Sequence, residues 1–181
     1  MMVIIDLGKF REAVLWKDEL PLLPSNVDHE LEISMQLNKP VVSENKKLAI
    51  ELKLPRNSSY YALLGVEYAP NQTSEIKIKT NLSNSPNNMY SSELGLHDEI
   101  YSGIPSEYAK AIINSAKEVV LESGWQHSGS IIFGLGAHSL VGSSEAVFSK
   151  VTKVLIALLI NELSIGTSQS DESVIRTKLD K

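Results

Sequence analysis

The chain has no cysteine, which excludes disulfides, thiolate nucleophiles and cysteine zinc sites together. That absence is consistent with a reducing cytoplasm, the expected location. A basic n-region followed by an apolar h-region is also lacking, because the opening Met1 to Leu7 already contains Asp6. Long hydrophobic runs are missing too. Val151 to Ile160 is only ten residues with Lys153 inside it, too short to span a bilayer, so no membrane contact is expected. Clustered base is scarce: the formal net charge is −5, and pairs such as Lys46-Lys47 are isolated. Phosphate-backbone contact needs grouped Lys and Arg, so DNA is not an expected partner. Three Asn-x-Ser/Thr sequons, at Asn57, Asn71 and Asn81, read as chance matches without a secretory signal.

What remains is close to a globular average. A chain of 181 residues with 43% hydrophobic and 22% charged side chains suits one soluble domain with a sizeable core. The first half reads as strands. Apolar residues alternate through Glu30 to Leu37, Leu48 to Leu54 and Glu75 to Thr80, which places them on one sheet face. Turn-forming stretches at Pro55 to Ser59 and Ala69 to Gln72 separate these runs, as in an antiparallel meander. Val3 to Ile5 suits a strand, and Phe10 to Leu15 fits either helix or strand. Asn81 to Tyr101, rich in Asn and Ser, reads as a long loop, either a binding loop or a connector.

The second half changes period. Pro105 suits a first helical turn, and Tyr108, Ala111, Ile112, Ala116, Val119 and Val120 recur at three and four up to Gly124. A strand is expected over Ser130 to Ala137, with Gly134 and Gly136 on one face and Ile131, Phe133 and Leu135 on the other. Ser143-Ser144-Glu145 opens a second helix whose buried stripe runs from Val147 to Leu159. Polar composition after Leu163 predicts a loose tail over 164–181. The expected organisation is an N-terminal extension with strands over 1–46, a domain over 47–163, and that tail. Two amphipathic helices and a one-sided sheet predict an α+β, two-layer arrangement.

Two motifs in this half resemble domain IV of translation elongation factor G. One is Gly103-Ile104-Pro105-Ser106-Glu107-Tyr108 at the start of the first helix; the other is Gly136 to Phe148, GAHSLVGSSEAVF. The resemblance covers about residues 103 to 163. It implies the ribosomal protein S five, second-domain-like fold: a mixed or antiparallel sheet of about four or more strands, two helices on one face, and a left-handed β-α-β crossover. Ser143, Ser144, Glu145 and Phe148 match the family pattern, and Val141 is kept. The family's Tyr, His, Asp and second Asp are replaced by His138, Ser139, Leu140 and Gly142. The retained residues start and bury a helix, whereas the replaced ones would touch RNA. The resemblance therefore implies the fold without the translocation role, and no G-x-x-x-x-G-K-[ST] loop is present.

Candidate chemistry centres on the loop tip Gly136, His138, Ser139, Gly142, Ser143 and Ser144. Small-molecule kinases of the galactokinase type share the broad fold and hold phosphate on a glycine- and serine-rich loop leading into a helix. Helix capping is the simpler role for Ser143 and Ser144. His29, His97, His127 and His138 are never three or four apart, so no helical metal pair exists, and His97-Asp98-Glu99 reads as a solvated acidic cluster. No G-x-S-x-G elbow occurs, and neighbouring His138 and Ser139 point to opposite faces of a strand. Trp125, beside Gly124, is a candidate partner anchor or a cover for the helix end. The expectation is a non-enzymatic domain without cofactor or metal. Its partner is a protein or a second copy of itself, with the N-terminal extension over 1–46 the candidate for assembly because its alternating strand near 30–37 must pair somewhere; a ribosome- or RNA-binding module is the alternative, and a small-ligand or phosphate-binding enzyme using the 134–144 loop the third reading.

Overall fold

The computed structural model describes residues 1–24, 27–56, 59–83, 88–164, 166 and 169–180; the sequon at Asn57 and parts of the 81–101 loop and of the tail lie outside them. In chain order the elements are β1 Met2–Gly8, β2 Arg11–Lys17, β3 His29–Gln36, β4 Lys46–Lys53, β5 Tyr61–Pro70, β6 Glu75–Leu82, β7 Ile100–Ser102, α1 Ser106–Ser123, β8 Gly129–Ser139, α2 Glu145–Leu163 and α3 Asp171–Leu179. The protein is α+β, with one mixed open sheet of eight strands ordered β1-β2-β4-β5-β8-β6-β3, and β7 pairs with β8. Four strands therefore understate it. Among the described strands only β6–β8 pair in parallel, and the other strand pairs are antiparallel.

The N-terminal 46 residues are not an appendage. β1 and β2 continue the sheet beyond β4, and β3 pairs with β6 along its whole length, His29 opposite Leu82 to Gln36 opposite Glu75. The alternating strand near 30–37 thus finds its partner within the chain, and no assembly is needed to pair it. Glu32 faces Lys79 across that pair, with a 3.4 Å ion contact.

α1 packs on β6 and β3, α2 on β5 and β4, and the two helices touch each other. Their contact includes Tyr108 stacked on Phe148, centroids 4.8 Å apart. The predicted ends hold: Pro105 is the N-cap of α1 and Gly124 its left-handed C-cap, while the Ser144 hydroxyl accepts from the Val147 amide at the start of α2. The tail is not loose throughout. α3 buries Val174 and Ile175, packs on α2, and is tied by Lys17 to Asp171 at 3.0 Å. Two apolar residues in a polar stretch are enough to seat a short helix once its N-terminal Asp171 and Glu172 favour the dipole.

β8 departs from simple alternation. Opposite β5, the register of β8 slips between Gly65–Leu135 and Glu67–Ile132, as a bulge does. Ile131 and Phe133 pair evenly with Ile78 and Thr80 of β6 and share a face, while Leu135 turns to the other one and meets Gly65. Leu135 and Phe133 are therefore on opposite faces, contrary to strict period-two reading. The face away from the helices is closed by irregular chain: Leu20 approaches Gly65, and Leu94 is buried over the region of Glu51. That cover is why β5 is buried along both of its faces from Tyr61 to Val66.

Candidate functional site

The glycine- and serine-rich tip is a closed hydrogen-bonded unit. β8 ends at Ser139, whose hydroxyl accepts from the amides of Val141 (3.3 Å) and Gly142 (2.9 Å). The Ser143 hydroxyl accepts from the Ser139 amide (3.0 Å) and donates to the Tyr61 carbonyl (2.6 Å). The Ser143 amide in turn donates to the Ser139 carbonyl, and the Gly142 carbonyl accepts from Tyr60 and Tyr61. Ser144 shares a 2.7 Å hydroxyl contact with Ser59 besides capping α2. Gly142 is required by close approach: a β-carbon there would lie 2.5 Å from the Tyr60 ring. The amides that a phosphate would need at Ser139, Val141, Gly142 and Ser143 are thus occupied by the loop itself. What the tip leaves outside is Leu140, 62% exposed, and Val141, 85% exposed.

Tyr60 also anchors the neighbouring acidic cluster. Its hydroxyl donates to Asp98 at 2.6 Å, and Arg56 pairs with the other Asp98 oxygen at 3.3 Å. Glu99 accepts from the Tyr101 hydroxyl. Asp98 and Glu99 each accept from protein donors, and among the described residues no group of three or more His, Asp or Glu is placed to hold a metal.

Gly136 and His138 lie deeper along β8 than the serines. β6 accompanies β8 as far as Phe133, and β7 takes over at Ala137. The gap between them holds Gly134 to Gly136. It is bridged by Asn81 donating to the Gly134 carbonyl (3.1 Å) and by Gly103 donating to the Gly136 carbonyl (2.8 Å). A side chain at Gly136 would strike Ile104 at 2.8 Å and the Leu63 carbonyl at 2.9 Å. Beside the gap lies a cavity of about 210 Å³, roofed by Pro21 to Pro24 and floored by Leu135. Ligand pockets run from roughly 300 to 1,000 Å³, and the described lining carries no ionisable side chain, so the cavity has neither the room nor the groups for nucleotide chemistry.

His138 is buried, and its Nδ1 lies 2.9 Å from the Gly103 carbonyl. A carbonyl only accepts, so Nδ1 carries the proton. Burial holds the imidazole below its ordinary value, partly offset by that carbonyl. Its ring sits among Tyr101 and Tyr108, and no hydrogen bond joins it to a serine among the described residues. A serine and a histidine do meet elsewhere, eighty-four residues apart in the chain and without a local motif: Ser43 Oγ lies 2.6 Å from His127 Nδ1. They come together because Val41 bridges to His127 in the chain crossing that end of the sheet. No carboxylate orients that imidazole among the described residues, so the triad geometry is incomplete.

Trp125 is a packing residue. It is 6% exposed, meets the Tyr68 ring edge-on at 5.9 Å, and donates its indole N–H to the His127 carbonyl at 2.6 Å. It stands near the start of β8, at the opposite end from the serine tip, and offers no surface to a partner.

The buried carboxylate Glu51 also escapes a reading of the sequence. It accepts from the Tyr61 hydroxyl at 2.5 Å and from the Glu93 amide at 3.2 Å. Burial raises its pKa, and the hydrogen bonds from Tyr61 and Ser92 counter that only in part. Burial first, then the neighbouring Glu51, pushes the Tyr61 phenol well up. The arrangement pins the 92–94 segment to the sheet.

No family model, curated protein or solved structure matches the chain. Among the described residues no helix is long and apolar enough to cross a membrane.

Proposed function

We propose that the chain is a non-catalytic assembly domain that acts by contacting protein, either a partner or a second copy of itself. The observation that carries this reading is the closed tip. Its serine hydroxyls and loop amides bond one another, and its exposed remainder is the apolar pair Leu140 and Val141. An apolar tip on an acidic chain suits a protein surface better than a polyanion. The elongation factor G domain IV likeness belongs to the same proposal. α1 and α2 packed side by side, each on two strands, support a two-layer form of that kind, enlarged by β1 to β3.

The test is a thermal-shift series with inorganic phosphate, ATP and magnesium, run beside ribosome co-sedimentation at rising salt. Unchanged melting with every ligand and no sedimentation supports the assembly domain. A rise in Tm with ATP or phosphate would promote a ligand-binding enzyme instead. Salt-sensitive sedimentation would promote an RNA-binding module.

A further inference from the structure

We infer that two copies of this chain join edge to edge through β1, in an antiparallel pairing with its two-fold axis at Val3. The inference deepens the assembly reading and rests on it. Among the described residues β1 ends the sheet, with β2 as its sole strand partner. Met1 and Lys17 exchange both backbone hydrogen bonds, at 2.8 and 2.9 Å. In an antiparallel pair such exchange recurs at every second residue, so Val3 and Ile5 bond β2 while Met2, Ile4 and Asp6 turn their N–H and C=O outward.

The outer edge is closed at one end only. Arg176 of α3 donates to the carbonyls of Asp6 (3.3 Å) and Leu7 (2.5 Å). No such bond reaches the backbone of Met2 or Ile4 among the described residues. Their side chains are 44% and 57% exposed, and Val3 is 38% exposed on the other face. Asp6 is the one charged side chain in the strand. At the opposite end of the sheet, β3 exposes His29, Glu30 and Glu32, and charges of this kind guard an edge.

The open stretch complements itself. With the axis at Val3, Met2 of each copy faces Ile4 of the other, and four backbone hydrogen bonds use all the free groups of both residues. Moving the axis to Ile4 would bring the Asp6 carbonyl, already held by Arg176, opposite Met2. A two-fold contact needs one patch that fits itself, and this segment supplies it, which makes a second copy the occupant.

The absence of native cysteine gives a direct test. In the pairing proposed, the two Val3 residues form a non-hydrogen-bonded pair with Cα atoms about 4.5 Å apart, inside the range a disulfide spans. Val3→Cys should oxidise to a covalent dimer far faster than Leu121→Cys on α1, whose position is more exposed. Ile4→Lys should weaken dimerisation at least tenfold in sedimentation equilibrium, with Tm at low protein concentration unchanged. Equal cross-linking of the two cysteine variants, or a dimer indifferent to Ile4→Lys, overturns the β1 interface while leaving assembly through another surface intact. A wild-type monomer at every concentration overturns both this interface and self-assembly.

Discussion

The turn between β1 and β2 offers a sharp test of how this hairpin is held. Two residues, Lys9 and Phe10, join the strands, with Gly8 opposite Arg11, and both have positive φ, +56° and +62°. That is the type I′ geometry, which favours Asn-Gly because its central residues are left-handed. A β-carbon in this region costs about 1–2 kcal/mol per residue. Asn tolerates the region, and Gly removes the clash while losing about 0.5–1 kcal/mol through its freer unfolded chain. Phe10 is 91% exposed, so little burial is lost with its ring. Replacing Lys9-Phe10 by Asn-Gly should therefore stabilise the fold by about 1–2 kcal/mol, or roughly 2–8 °C in Tm for a chain of this size. Calorimetry at low and high protein concentration is the assay. A Tm that stays level or falls in dilute solution would refute the strain argument. A gain seen only in dilute solution would place the Phe10 ring inside an assembly, where a strained turn that displays an aromatic has a use.

Three further outcomes follow from the packing. Trp125→Ala should cost about 3–5 kcal/mol in urea unfolding, since the indole fills the space against Tyr68; a loss below 1 kcal/mol would mean the ring is not core. Gly142→Ala should cost about 1–3 kcal/mol because its β-carbon meets the anchored Tyr60 ring. Gly134→Ala, whose nearest neighbour would be 3.8 Å away, serves as the control, and equal effects would refute the steric account. Glu51 has a pKa raised by burial above its ordinary 4.5, so the folded state holds this proton more tightly than the unfolded chain. Its contribution is full below pH 4.5 and is lost as pH rises through the raised value. The Tm of Glu51→Gln minus that of the native protein should accordingly increase between pH 4 and 7.5, and a flat difference would show that the carboxyl does not titrate as its burial requires.

Legibility in the sequence followed the range of the interactions involved. Both ends of α1 and the start of α2 could be read because caps are local: Pro105, Gly124 and Ser144 act within a turn of their own position. The alternation of β3 and β6 is equally plain, since each turns one face to the core, half-buried in β3 and buried in β6. What failed to show depends on distant chain. Glu51 sits where alternation predicts solvent, and only the 92–94 segment crossing above it makes the position interior. The bulge in β8 answers to Gly65 of another strand, so period-two counting misplaced Leu135. α3 was hidden because two buried residues in nine give no periodic signal. At the candidate site, helix capping by Ser144 was readable, but the mutual bonding of Ser139 and Ser143 needs the turn's actual path. Trp125 suits a partner anchor or a helix-end cover in sequence, and its contact with Tyr68 of a distant strand makes it a packing residue.

The place of β8 in the sheet has a consequence for biosynthesis. β5 and β6 are consecutive in sequence, separated by a short turn, yet they are not neighbours: β8, made some fifty residues later, lies between them. A nascent chain that has emerged only as far as Gly129 holds two unsatisfied strand edges side by side, and nothing local can fill the slot. Folding must wait for the late strand, or the two edges will pair with each other or with a neighbouring polypeptide.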